Sequence, residues 1–174
     1  MALRTDTLDL GRLGLQSGAG KTLDLHVSVE GFTFGGEPYE VTPREIPVRL
    51  DISRTTGNGY AMRLRFSATV SGPCMRCLAP AAPEYEVDAR EIEQPSADRD
   101  TDLSSPYVDA TGELDVSRWV HDALALAIPD QITCRPDCRG LCPRCGANLN
   151  DDPDHAHEPE PDPRWAKLSE LKFE

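Results

Sequence analysis

No apolar run in this 174-residue chain approaches the roughly 20 residues that a membrane-spanning helix needs. Nothing near Met1 has the basic start and apolar stretch of a secretory leader. Both absences lead to the expectation of a cytoplasmic protein with no membrane contact. Lysine is nearly missing, because Lys21, Lys167 and Lys172 are the only lysines among 18 basic residues. Basic charge as a whole is short, and the net charge of −12 excludes a surface that grips long stretches of nucleic-acid backbone. Any RNA contact would have to be local. No H-E-x-x-H or similar motif points to a hydrolytic metal centre, and no internal repeat is present. Six cysteines are too few for a disulfide scaffold of this length. In a reducing compartment, cysteines spaced C-x-x-C are expected to bind metal rather than to pair as disulfides.

The spacing of those cysteines is the most informative feature present. Cys74 and Cys77 form one C-x-x-C pair in "GPCMRCL", and "CRPDCRGLCPRCG" holds Cys134, Cys138, Cys142 and Cys145. "CPRCG" is a metal knuckle: thiolates at i and i+3 reach one ion, and Gly146 permits the tight turn behind them. "DDPDHAHEP" adds His155 and His157. Eight ligands are the number that two tetrahedral zinc sites require, so two structural Zn2+ ions are expected. One grouping puts Cys74, Cys77, Cys134 and Cys138 on one zinc, and Cys142, Cys145, His155 and His157 on the other. The competing grouping gathers Cys134, Cys138, Cys142 and Cys145 on a single ion and leaves Cys74 and Cys77 free. Against it, four ligands within twelve residues have little chain with which to wrap a tetrahedron.

Hydrophobic periodicity sets the frame around these motifs. "TLDLHVSVE" alternates strictly, and "IPVRLDIS" turns Val48, Leu50 and Ile52 inward. "YAMRLRFSATV" does the same with Tyr60, Met62, Leu64, Phe66, Ala68 and Val70, after a hairpin turn at Asn58-Gly59. "EYEVDAREI" supplies a fourth strand, which puts Cys74 and Cys77 at the tip of a second hairpin. Residues 94–106 are polar and loop-like. The period then changes to 3.6 in "ELDVSRWVHDALALAIP", with Asp115 as N-cap and Pro129 as stop. This helix is expected to cover the sheet and to deliver Cys134 near Cys74. His26 and His121 fall on polar faces and read as solvated. Residues 151–163, rich in acids and prolines, read as extended and solvated. "DPRWAKLSELKFE" reads as a short amphipathic helix.

The fold class expected is α+β: an antiparallel β-rich domain with a covering helix and a C-terminal zinc-stapled segment ending in a short helix. The expected divisions are 1–133 for the β-rich domain, 134–157 for the zinc-knuckle segment, and 158–174 for the acidic linker and helix.

These residues carry a resemblance. The order "C-x-R-C-L", a helix ending in "LALAIP", then "C-x3-C-x-G-L-C-P-x-C-G-x-N-L-N" and a terminal "DPRWAKL-x-x-L" resembles the YceD family, the large ribosomal RNA subunit accumulation proteins. The resemblance runs from about residue 60 to the end, and it implies a role in accumulation of large-subunit ribosomal RNA. It brings no catalytic residue. Many members close the second cluster with C-x-C where this chain has His155-Ala156-His157, and imidazole also binds zinc.

Three function classes follow. The first is a non-enzymatic ribosome-biogenesis factor that binds a ribosomal protein or a large-subunit precursor particle. The second is a thiol redox or redox-regulated zinc protein; a redox C-x-x-C should open a helix, and Pro73 with the hairpin setting argues against that here. The third, a zinc hydrolase, lacks a recognisable base motif. Arg76, Arg135, Arg139 and Arg144 lie among the cysteines, where they offset thiolate charge or form a small phosphate or partner contact. Trp165 and Leu168 offer a partner-docking stripe or an anchor on the protein's own body.

Overall fold

The computed structural model describes residues 3–56, 59–94 and 103–157. Ten strands and one α-helix form in chain order: β1 (Leu3–Arg4), β2 (Thr7–Asp9), β3 (Gly20–Ser28), β4 (Phe32–Phe34), β5 (Glu37–Thr42), β6 (Glu45–Arg54), β7 (Tyr60–Pro73), β8 (Pro80–Ala81), β9 (Glu84–Glu93), β10 (Glu113–Asp115) and α1 (Val116–Ala127). The architecture is α+β and mainly antiparallel. The main sheet runs β1-β3-β6-β7-β5-β4, with β8 and β9 also pairing with β7. β1 is parallel to β3, and β2 pairs with β10 in a separate small ladder.

β7 is the organising strand because it is long enough to serve several neighbours in succession. Residues 60–65 pair with β6 on one edge, while residues 60–69 pair with β9 on the other. Further along, residues 69–71 take β5 and residues 72–73 take β8. The expected alternation holds: Tyr60, Met62, Leu64, Phe66, Ala68 and Val70 are all buried, as are Val48, Leu50 and Ile52. Of the expected hairpin turn, Asn58 lies outside the described residues.

The helix begins where its cap dictates, with the Asp115 side chain accepting from the Arg118 N–H at 2.9 Å. It ends at Ile128, which turns extended before Pro129. Val116, Trp119, Val120, Ala123 and Leu124 are buried against the sheet, and Trp119 stacks on Tyr107 with ring centroids 6.0 Å apart. The Ser117 hydroxyl donates to the Ser28 carbonyl at 2.9 Å, which pins the helix to the end of β3. His121 packs on the Phe32 ring at 4.8 Å and bonds Asp122, so it is half-buried rather than solvated. No helix among the described residues is long and apolar enough to cross a membrane.

One hairpin was not anticipated from the sequence. β4 and β5 pair as Phe32↔Tyr39, Thr33↔Pro38 and Phe34↔Glu37 around Gly35-Gly36, both at positive φ. That diglycine between two short runs is a recognised hairpin signal. The expectation of an extended stretch over 151–163 also fails for its first half. The chain turns back at once, with Asp151 and Asp152 N–H groups donating to the Asn148 carbonyl and His155 N–H to that of Asp152. The short terminal helix expected beyond Asp162 lies outside the described residues.

Candidate metal centres

The two knuckles are built alike. In the first, the Leu78 N–H donates to the Cys74 carbonyl at 2.9 Å, and in the second the Gly146 N–H donates to the Cys142 carbonyl at 2.8 Å. Both turns need a left-handed residue one step past the second cysteine, at φ 62° for Leu78 and φ 76° for Gly146. Glycine adopts that conformation freely, whereas a leucine there carries about 1–2 kcal/mol of backbone cost. Leu78 is also 67% exposed, so little packing offsets the cost. Leu78→Gly is therefore expected to raise unfolding free energy by about 0.5–1 kcal/mol, after the extra chain entropy of glycine is deducted. Urea titration of the metal-loaded protein would measure it, and a loss of stability would show that the leucine side chain is held by contacts that outweigh the strain.

The first knuckle is carried on the β7–β8 tip, and the segment after α1 is brought to it by the Met75 N–H bond to the Ile132 carbonyl at 2.8 Å. This places Cys74 Sγ 3.8 Å from Cys138 Sγ and Cys77 Sγ 3.6 Å from Cys134 Sγ. All six cysteines are free thiols. The second knuckle faces the 151–157 turns. Cys142 Sγ lies 3.3 Å from His157 Nε2, Cys145 Sγ lies 3.1 Å from His155 Nε2, and the two Nε2 atoms are 3.0 Å apart. Within each of the two sets, every donor atom lies within 4.8 Å of every other.

Those separations can be tested against a metal. A zinc tetrahedron with Zn–S of about 2.3 Å has S···S edges of about 3.8 Å, and shorter Zn–N bonds bring mixed and N···N edges to about 3.3–3.6 Å. The sulfur cluster matches, and the mixed cluster is tighter by a few tenths of an ångström. Four soft or borderline donors in a compact tetrad suit zinc and do not suit the oxygen-seeking cations. The chain thus brings together the sets Cys74, Cys77, Cys134, Cys138 and Cys142, Cys145, His155, His157. The compact four-cysteine grouping does not form, because Cys142 and Cys145 face the histidines.

Charge is shared unequally within the first set. Burial works to raise the Cys74 thiol, but N–H donors from Cys77, Arg76 and Cys134 outweigh it and bring it down to about 6. Cys142 is brought to about 6 chiefly by the N–H groups of Arg144 and Cys145, against burial and with help from His157. Cys134, by contrast, is pushed up to about 12 by desolvation of its sulfur and by the neighbouring thiols. In the first set Cys74 and Cys138 are drawn down while Cys77 and Cys134 are pushed up, because closely packed sulfurs cannot all ionise without a cation. A divalent ion at the centre removes that conflict.

The four arginines among the cysteines are placed differently from a free phosphate cradle. Arg76 donates to Gln131 Oε1 at 2.9 Å and to the Cys138 carbonyl at 3.0 Å. Arg135 bonds Asn150 Oδ1 at 2.8 Å and pairs with Asp137, while Arg139 donates to the Pro153 carbonyl at 2.8 Å. The backbone N–H of Arg144 serves the Cys142 sulfur. The side chains of Arg76, Arg135 and Arg139 thus hold the loops. Trp165 and Leu168 lie outside the described residues.

Sequence reasoning passed over two residues here. Asn150 donates through Nδ2 toward Cys138 Sγ at 3.5 Å, while its Oδ1 accepts from the Arg139 N–H at 2.8 Å. It thus ties the chain leaving the second knuckle to a sulfur of the first cluster. Gly140, at φ 80°, lies so close to Arg76 that an added Cβ would meet the Arg76 carbonyl oxygen at 3.0 Å. The "GANLN" and "CRGLC" strings contain both residues, but only the fold shows what they touch.

The profile of the family described as "Large ribosomal RNA subunit accumulation protein YceD" matches residues 62–172, a span that includes both clusters. A Mycobacterium tuberculosis protein, itself named as uncharacterized, is 34% identical over 171 residues, or 95% of this chain and 80% of its own length. A Mycobacterium leprae protein is 27% identical over 169 residues, covering 94% of this chain and 76% of that one. A Zea mays protein named "Large ribosomal RNA subunit accumulation protein YCED homolog 1, chloroplastic" is 43% identical over 53 residues, covering 30% of this chain and 17% of its own. No solved structure matches.

Proposed function

The chain belongs to the YceD family of large ribosomal RNA subunit accumulation proteins, and from that premise we propose that it is a non-enzymatic ribosome-biogenesis factor stapled by two structural zinc ions. The family match, which runs through both clusters, is the observation that carries the ribosomal reading. Cys74, Cys77, Cys134 and Cys138 would hold one zinc, and Cys142, Cys145, His155 and His157 the other. Zinc supplies a cross-link here, tying the hairpin tip to the chain that follows the helix. Four protein donors close each site, whereas a catalytic zinc keeps a position open for water or substrate. The convergence of four donors also favours a metal over a redox role for Cys74 and Cys77, which lie at a hairpin end rather than at a helix N-terminus.

The partner is a ribosomal protein or a large-subunit precursor particle, met in the cytoplasm. With a net charge of −12 the chain repels bare RNA, and Asp151, Asp152 and Asp154 stand exposed beside the second cluster. Basic ribosomal proteins are the complementary surface.

Affinity capture combined with gradient fractionation tests this reading. The protein should co-migrate with large-subunit precursors, and its depletion should lower large-subunit relative to small-subunit ribosomal RNA. Migration only with free protein, together with an unchanged ratio, would remove the ribosomal assignment. Tight and strongly salt-dependent binding to protein-free ribosomal RNA would instead replace the protein partner with RNA.

The zinc sites carry a pH signature. Cys74 and Cys142 titrate at about 6 in the folded metal-free chain, well below an ordinary thiol. Above that pH both are thiolates ready to bind, and below it both are protonated and must lose protons to the incoming ion. Zinc uptake by the metal-free protein is expected to weaken steeply as pH falls from 7 to 5. Competition with a chromogenic chelator at each pH measures it, and an affinity that is flat over this window would contradict thiolate ligation.

A further inference from the structure

We propose that the free edge of β9 is a docking site for an extended, basic polypeptide segment, which adds to the sheet as a further strand. Three observations carry this. First, β9 pairs with β7 along its whole length, and among the described residues no strand takes its other edge. Among the described residues the backbone edge is taken just past the strand, by the Gln94–Leu103 bridge, beside which the Glu93 carboxylate accepts from the Ser105 N–H at 2.7 Å. At the other margins β1 covers β3 only at Leu25 and His26, and the three-residue β4 lies on β5. A ten-residue strand with one open edge presents a row of alternating unpaired N–H and C=O groups about 30 Å long.

Second, that edge borders a groove. Residues 86–91 form one wall, and Tyr107, Trp119, Ala123, Leu126 and Ala127 form the other, around a volume of about 390 Å³. Leu126 stands 86% exposed at the rim, where a buried helix face gives way to an apolar side chain in water. An added strand would place every second side chain into this groove.

Third, charge selects the occupant. β9 reads EYEVDAREIE, with five carboxylates to one guanidinium. Asp88 is already engaged by Arg63 at 2.7 Å, but Glu84 and Glu86 are exposed and have no such partner among the described residues. Pairing two copies edge to edge would set these acidic rows against each other, which disfavours a second copy of the chain. A phosphate backbone meets the same repulsion. A strand that alternates basic and apolar residues satisfies the backbone, the groove and the carboxylates together. The inference stands apart from the metal clusters and from the ribosomal assignment.

The test uses the full-length protein and three labelled, end-blocked dodecapeptides. One alternates lysine and valine, the second alternates glutamate and valine, and the third is the lysine peptide N-methylated at alternate residues. Anisotropy should show the lysine peptide binding at least ten-fold more tightly than either of the others. Hydrogen exchange should show new protection within residues 84–93, and the Glu84→Lys, Glu86→Lys double variant should lose at least ten-fold in affinity. Absence of binding overturns the proposal. So does binding indifferent to N-methylation, which would reveal only attraction to an acidic surface, or protection that falls outside β9. Concentration-dependent dimerisation with protection on β9 would seat a second copy there and overturn it as well.

Discussion

Cys138→Ser is expected to release one of two zinc ions and to lower unfolding free energy by about 3–5 kcal/mol, the range for breaking one partner of a buried charged set. Cys145→Ser is expected to release the other zinc and to leave the core nearly as stable. The asymmetry comes from where the clusters sit. Cys74 and Cys138 are 0% and 2% exposed and belong to the main apolar core, so losing the ion there strands ionisable sulfurs among packed side chains. Cys145 and His157 are exposed, and although Cys142 is buried, none of this set belongs to the main core. Since whole domains are stable by only about 5–15 kcal/mol, the first loss is a large fraction of the total. Elemental analysis and urea titration measure both effects. Cys74→Ser added to Cys138→Ser should release no further zinc, because both sulfurs belong to one set, whereas Cys74→Ser with Cys145→Ser should release both ions. A second equivalent lost in the first pair would break the grouping.

Trp119→Ala is expected to cost about 3–5 kcal/mol, as large-to-small changes of buried aromatics do. Trp119 is 2% exposed, stacks on Tyr107 and lies on the face that α1 presents to the sheet. The same helix leads into Ile132, whose carbonyl receives the Met75 N–H, and hence into Cys134. Loosening the helix should therefore also weaken zinc at the first cluster. The second should keep its ion, because its four donors all fall between residues 142 and 157. Urea midpoints and chelator competition would separate the two effects. A cost below about 1 kcal/mol would show that the helix is not the clamp that its burial implies.

Much of this was legible in the residues alone, because much of it is local. Alternation over 60–70 needs only the two-residue repeat of a strand, and the helix from Val116 needs only the 3.6 repeat, its Asp115 cap and Pro129. The C-x-x-C knuckles announce themselves because the ligand spacing and the turn behind it lie within five residues. Gly35-Gly36 was equally local and could have marked the β4–β5 hairpin, but the run before it is only three residues long and Pro38 interrupts the one after it. The grouping of ligands was different in kind. Whether Cys134 and Cys138 join Cys74 and Cys77 or the next knuckle depends on which loop ends meet after the sheet and helix have packed. A separation of 57 residues between Cys77 and Cys134 carries no signal of its own. The loop bonds made by the exposed Arg76, Arg135 and Arg139, the bridge made by Asn150, and the edge of β9 that no described strand takes were likewise decided only in three dimensions. Each depends on what a residue's neighbours in space already bond, and a one-dimensional pattern does not contain that.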